Sequence, residues 1–141
     1  MEIEKSFEQR VPDRPQEETA LPASKENPPE RETQRLILAG IAAGPGRGEG
    51  SVRVIRSEKE YASFQDGEVL VTRTTDPSMT LLMSRAAAVV CDLGGITSHA
   101  AIVSREMGLP CVVATKTATT TLRTGEHVVV DGAKGEIYTI L

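Results

Sequence analysis

Apolar positions gather into short runs from residue 36 onward and stand isolated before it. Leu36-Ile37-Leu38-Ala39-Gly40-Ile41, Glu68-Val69-Leu70-Val71-Thr72, Ala88-Val89-Val90-Cys91 and Cys111-Val112-Val113-Ala114 have the length and β-branched content of strands. Ser51 to Ile55 alternates partially, with Val52 and Val54 on one face. His127-Val128-Val129-Val130 and Gly135-Glu136-Ile137-Tyr138-Thr139-Ile140 follow, separated by a compact turn. The pattern predicts strands at about 36 to 41, 51 to 55, 68 to 72, 88 to 91, 111 to 114, 127 to 130 and 135 to 140. The glycine-rich stretch from Ala42 to Gly50 is expected to be a hairpin or corner; as a phosphate cradle it lacks a following Lys-Ser/Thr.

Between strands the period changes. Asp76 can cap a helix running to Ala86, with Pro77 tolerated in its first turn, and Met79, Leu82, Met83 and Ala86 at core spacing. After Gly94-Gly95, Thr97 or Ser98 can cap a second helix whose stripe is Ala100, Val103 and Met107, ending at Gly108-Leu109-Pro110. Ser57 to Glu60 reads as a short helical or irregular link, and Thr115 to Thr121 as including a short helix. The sum is a mixed α/β fold. The two closely spaced final strands disfavour a simple doubly wound sheet.

Residues 1 to 34 hold five of the eight prolines and many charges, with only isolated apolar positions such as Ile3, Phe7 and Leu21. Such a composition does not offset the entropy of ordering a chain, so a flexible charged tail is expected there and one folded domain over 35 to 141.

Charge and composition narrow the function. With 20 acidic and 16 basic residues the formal net charge is -4, which offers no broad positive field for nucleic acid, and only Phe7, Tyr61, Phe64 and Tyr138 could stack on bases. No apolar run reaches a membrane span and no secretory signal opens the chain, so a cytoplasmic protein without a membrane partner is expected. Cys91 and Cys111, in or next to apolar strands, read as buried thiols. With His99 and His127 they make no recognisable zinc spacing, so no metal site is assigned. His127, on the face opposite Val128 and Val130, is expected at the surface or a sheet edge.

The remaining chemistry concentrates at Gly94-Gly95-Ile96-Thr97-Ser98-His99. Here an imidazole leaves a glycine turn at the first turn of a helix, beside amide N–H groups with no internal partner and a dipole that favours anions. A neutral imidazole nitrogen is also a nucleophile in group transfer. Locally, a capping or half-buried histidine without chemistry fits the same string equally well. Arg105 reads as a surface ion-pair residue, and Lys116 and Arg123 as weak phosphate contacts.

The longer segment from Gly94 through His99-Ala100-Ala101-Ile102-Val103-Ser104-Arg105-Glu106-Met107-Gly108-Leu109-Pro110 to Val113 resembles the mobile phosphohistidine domain of phosphoenolpyruvate-utilising enzymes. That family includes phosphoenolpyruvate synthase, pyruvate phosphate dikinase and enzyme I of the sugar phosphotransferase system. The resemblance extends to Asp76-Pro77 and to Val130-Asp131-Gly132-Ala133-Lys134-Gly135, and covers about residues 38 to 140. It departs at Ala114-Thr115-Lys116-Thr117, where family members usually continue with glycine and a nearby asparagine. The resemblance implies a β/β/α swivelling domain with His99 as phosphoryl acceptor through Nε2, and Gly94, Gly95, Thr97 and Ser98 positioning phosphate. It implies no cofactor held by this chain itself. The partners it implies are separate nucleotide-binding and phosphoryl-acceptor or phosphoenolpyruvate-site chains, whose reaction uses magnesium and ATP. The expected function is a phosphotransferase component, a carrier subunit with little turnover alone. A non-catalytic regulatory or assembly module of the same fold is the alternative, and the intact Gly94 to His99 string argues against it. A self-contained phosphohydrolase ranks third for want of a metal or general-base constellation.

Overall fold

The computed structural model describes residues 34 to 140. Residues 1 to 33 lie outside the described residues, and the expected tail with them, while Gln34 opens the first strand. The strands are β1 (Gln34–Ala39), β2 (Ile41–Gly44), β3 (Arg47–Ile55), β4 (Val69–Thr72), β5 (Ala88–Cys91), β6 (Cys111–Val113), β7 (His127–Asp131) and β8 (Glu136–Ile140). Among the described residues three α-helices interleave, α1 (Thr80–Arg85), α2 (His99–Met107) and α3 (Ala118–Thr121), with 3-10 turns at Glu58–Ser63 and Pro77–Met79.

Their order in the sheet is β1-β8-β7-β3-β4-β5-β6-β2. β3 belongs to two layers. Its first half, Arg47 to Ser51, runs antiparallel to β7, and its second half, Val52 to Ile55, runs parallel to β4. β4, β5 and β6 continue the parallel run, and β7 and β8 continue the antiparallel one. β7 also touches β5 and β6, so the antiparallel part folds over one face of the parallel part.

Alternation along the parallel strands then builds two cores. Val69, Val71, Ala88, Val90 and Val112 face Val128, Val130, Ile137 and Leu122. Leu70, Val89, Cys91, Cys111 and Val113 face the other way, onto Met79, Leu82 and Met83 before and along α1 and onto Ala100 and Ala101 of α2. The result is the β/β/α architecture. It also explains why Ala88 to Cys91 shows no polar alternation, because a strand covered on both faces is apolar at every position.

The glycine-rich stretch differs from the expected corner. Only Pro45-Gly46 turns, with Gly46 at φ 116, while β2 and β3 occupy the rest. Gly48 is there for close approach, since a Cβ on it would lie 2.2 Å from the Ala87 carbonyl oxygen. The strand expected to reach residue 114 ends at Val113, because Ala114 adopts φ 58 and Lys116 φ 75, left-handed conformations unusual for residues with a Cβ.

Asp76 caps the helical segment as expected, accepting from the Ser78 N–H at 2.8 Å, although a 3-10 turn over Pro77–Met79 precedes α1. α2 ends in a Schellman motif: Gly108 sits at φ 68, its N–H on the Arg105 carbonyl, and the Leu109 N–H reaches the Ser104 carbonyl at 2.8 Å. Its buried face is Ala100, Ala101 and Ser104 with Val103 beside them, rather than the expected stripe through Met107, which is 39 % exposed. Small residues let α2 lie close on the sheet, and Met107, in its last turn, lies past the edge of that contact.

No helix among the described residues is long and apolar enough to cross a membrane.

Candidate functional site

Parallel strands bring their C-terminal ends to one side, and three loops meet there. The Asp92 N–H donates to the Thr72 carbonyl at 3.1 Å and the Leu93 N–H to that of Arg73 at 3.0 Å. The Thr115 N–H reaches the Cys91 carbonyl at 3.2 Å, and the Lys116 N–H that of Asp92 at 2.8 Å. Asp92 fastens α3 to this edge as well, accepting from the Thr119 N–H at 2.9 Å and its hydroxyl at 2.6 Å.

The β5–α2 loop carries the glycine turn. Gly94 lies at φ 115, and a Cβ on it would sit 3.0 Å from the Ser98 hydroxyl oxygen. Gly95 relieves no clash, for nothing lies within 4 Å of where its Cβ would be, so it leaves bare backbone beside the histidine. Of the two possible caps, Ser98 takes the position: its Oγ accepts from the Ala101 N–H at 3.3 Å and donates to the Gly95 carbonyl at 2.8 Å. Thr97 is exposed next to it.

His99 is the first residue of α2 and half-buried. Its Nδ1 lies 2.7 Å from Oγ1 of Thr75, in the β4–α1 loop, and either atom can donate. Thr75 is 5 % exposed, and its backbone N–H contacts the Cys91 sulfur. Sequence reasoning missed Thr75. Its one signal was its place before Asp76-Pro77, and Thr72 and Thr74 nearby look no different. The next residue, Asp76, is held below the ordinary carboxylate range by the Ser78 hydroxyl and N–H, with a smaller contribution from His99.

With Nδ1 engaged, Nε2 is the remaining polar atom of the ring. The N–H groups of His99 and Ala100 belong to the first turn, where helix geometry supplies no acceptor. A tetrahedral anion at this end of α2 would meet a ring nitrogen, backbone donors and the helix dipole together.

The other candidates fall elsewhere. His127 stands exposed on β7, its Nε2 2.8 Å from a Glu49 carboxylate oxygen. Cys91 and Cys111 are buried and unpaired, and burial pushes both thiols up. Among the described residues Arg105 makes no ion pair; its guanidinium donates to backbone carbonyls. Among the described residues no group of three or more His, Cys, Asp or Glu converges as a metal site.

Residues 64 to 135 match the family model described as "PEP-utilising enzyme, mobile domain". The phosphoenolpyruvate synthase of Pyrococcus furiosus is 52% identical over 116 residues, which are 82% of this chain and 14% of that protein. A Bacillus subtilis protein named "Uncharacterized phosphotransferase YvkC" is 45% identical over 111 residues, 79% of this chain and 13% of its own length. This chain therefore spans about one seventh of these curated relatives. Among solved structures, the holo-form aconitase X of Thermococcus kodakaraensis superposes with a TM-score of 0.54 at 20% identity, over 74% of this chain and 97% of that one. At that identity the likeness is one of fold alone.

Proposed function

We propose, from the premise that this chain belongs to the family of PEP-utilising enzyme mobile domains, that it carries phosphoryl groups on His99 between two partner active sites. The observation that carries this reading is the 2.7 Å contact between Nδ1 of His99 and Oγ1 of Thr75. With Thr75 accepting, the ring proton stays on Nδ1 and the lone pair of Nε2 faces the donor. Nε2 attacks phosphorus in line, a nitrogen–phosphorus bond forms, and the bond to the donor's leaving oxygen breaks with its electrons on that oxygen. A nucleophile of the second site later takes the phosphoryl group and returns the lone pair to Nε2.

Gly94, Gly95, Thr97 and Ser98 position phosphate in different ways. The glycines let a partner approach the backbone, Ser98 sets the start of α2, and the exposed Thr97 hydroxyl is available to a phosphate oxygen. Positioning and fixed dipoles are the main protein contributions to such transfer.

Magnesium does not fit this chain's own residues. Asp76 is engaged by Ser78 and Asp92 by Thr119, and no further carboxylate joins either in a metal cluster among the described residues. On this reading magnesium, ATP and the acceptor or phosphoenolpyruvate site lie on partner surfaces.

Incubation with a nucleotide- or phosphoenolpyruvate-binding partner and its substrate should add the mass of one phosphoryl group, labile in acid, and the increment should vanish in His99→Ala. Undiminished labelling of that variant would overturn the assignment.

A further inference from the structure

We propose that Arg105 is a positioning residue for His99, acting as a clamp that fixes the glycine turn to the edge of the sheet. Its Nη1 donates to the Ala43 carbonyl at 2.9 Å and its Nη2 to the Ile96 carbonyl at 2.7 Å.

Both acceptors are carbonyls that regular structure leaves open. Ala43 lies where the β2–β6 ladder skips a residue, between the pairs Ala42↔Val112 and Gly44↔Cys111, so its carbonyl is outside the ladder. Ile96 lies in the turn from Gly94 to Ser98, with its side chain 61 % exposed. The turn's internal bonds all end at the Gly95 carbonyl, which accepts from the Ser98 N–H at 3.1 Å and the Ser98 hydroxyl at 2.8 Å. Among the described residues, Arg105 is the one side chain from beyond the turn that bonds to it.

The guanidinium suits this task because its fork is planar and its two terminal nitrogens point at separate acceptors, each bond charge-assisted. A lysine ammonium offers its three donors from a single nitrogen at the end of a flexible stem, and does not span two separate carbonyls in a fixed fork. Arg105 leaves α2 from a different side than His99, six residues later, and so acts through backbone. It holds Ile96, Ile96 holds the path into Ser98, and Ser98 starts the helix from which Nδ1 reaches Thr75. Released, the turn keeps only its own bonds and those of Ser98 to the first turn of α2, with none to the sheet edge, and the ring loses the constraint that selects Nδ1 as its protonated nitrogen.

This inference deepens the carrier reading and rests on it for its kinetic consequence, but the two are separable by experiment. In the full chain, ring nitrogen-15 NMR reports the His99 tautomer. Phosphoramidate, a partner-free donor, reports the rate and the nitrogen phosphorylated: Nε2 attacks phosphorus, the phosphorus–nitrogen bond of the reagent breaks, and ammonia leaves. The unmodified protein should hold its proton on Nδ1 and label on Nε2. Arg105→Met and Arg105→Lys, while melting cooperatively, should drift to the Nε2–H form of free imidazole. Both should label about ten- to hundredfold more slowly, with Nδ1 adduct appearing. An unchanged tautomer and labelling pattern in a folded variant would overturn the clamp, and Arg105→Lys alone decides it should Arg105→Met not fold. A tautomer shift in the variants without any labelling of the unmodified protein would leave the clamp standing and remove the carrier reading.

Discussion

At the scale of single residues, the site depends on atoms that no local string announces. Thr75 holds Nδ1 from a loop 24 residues before His99. Thr75→Val keeps the shape and removes the hydroxyl, so phosphoryl uptake is expected to fall about ten- to hundredfold through lost orientation. The melting change should be modest, since one buried hydrogen bond contributes about 1 kcal/mol; labelling kinetics beside a thermal melt separate the two effects. Lys116 shows the opposite balance. It stands at φ 75, two residues after Ala114 at φ 58, in the segment where the family resemblance departs from glycine. A side chain in the left-handed region costs about 1–2 kcal/mol, and glycine gives part of that back in unfolded-chain entropy. Lys116→Gly is therefore expected to stabilise by about 1 kcal/mol, read as a rise of about 4 °C in melting midpoint. The turn at Gly94, a cap at Thr97 or Ser98 and a first-turn imidazole at His99 were legible because those roles are local, and the structure chose Ser98. Thr75 was not, because its role exists only after β4 and β5 pair.

At the scale of elements, hydrophobic periodicity located the strands well where burial dictates composition. It failed where backbone proximity does. The run from Ala42 to Gly50 looks like loop because glycine is a turn former, yet Gly44 and Gly48 sit in strands crossed by other chain segments. At Gly48 the obstruction is the Ala87 carbonyl, whose residue leads directly into β5 and does not yield easily. Gly48→Ala is expected to destabilise by about 3 kcal/mol. By contrast, Gly95→Ala, with open space around it, should change stability by less than about 0.5 kcal/mol; paired urea titrations test the contrast. α2 carries the same lesson. Its sequence stripe pointed toward Met107, whereas contact with the sheet selected the small face of Ala100, Ala101 and Ser104. The buried Ser104 hydroxyl has no oxygen or nitrogen partner, and close helix–sheet approach is what brings it against the Cys111 thiol.

At the scale of the molecule, three layers seal both thiols. Cys111 registers with Val89 rather than Cys91, and burial pushes each thiol up, so neither should react with an aromatic disulfide reagent until the chain unfolds. Both should then titrate together in denaturant. Acid stability follows from the fork between Arg53 on β3 and Glu68, just before β4, at 3.0 and 2.9 Å. Burial alone would raise the Glu68 carboxyl, but the Arg53 hydrogen bonds and the Gln65 N–H outweigh it and hold the group below its ordinary value. A lowered folded-state value means the contribution is complete above the unfolded value, about pH 4.3, and is lost as pH falls through the folded one. Glu68→Gln should flatten that acid limb in urea melts taken from pH 6 downward. By itself the sequence determined the strands that burial makes apolar, the helix that starts at His99, and the family to which these motifs belong. Those are local or statistical properties of adjacent residues. The tertiary structure alone decided that β3 serves two layers, that glycines lie under crossing backbone, that Thr75 reaches the histidine from the β4–α1 loop, and that Arg105 reaches the Ala43 carbonyl on β2. Such contacts join residues far apart in the chain, and no periodicity along the chain encodes them.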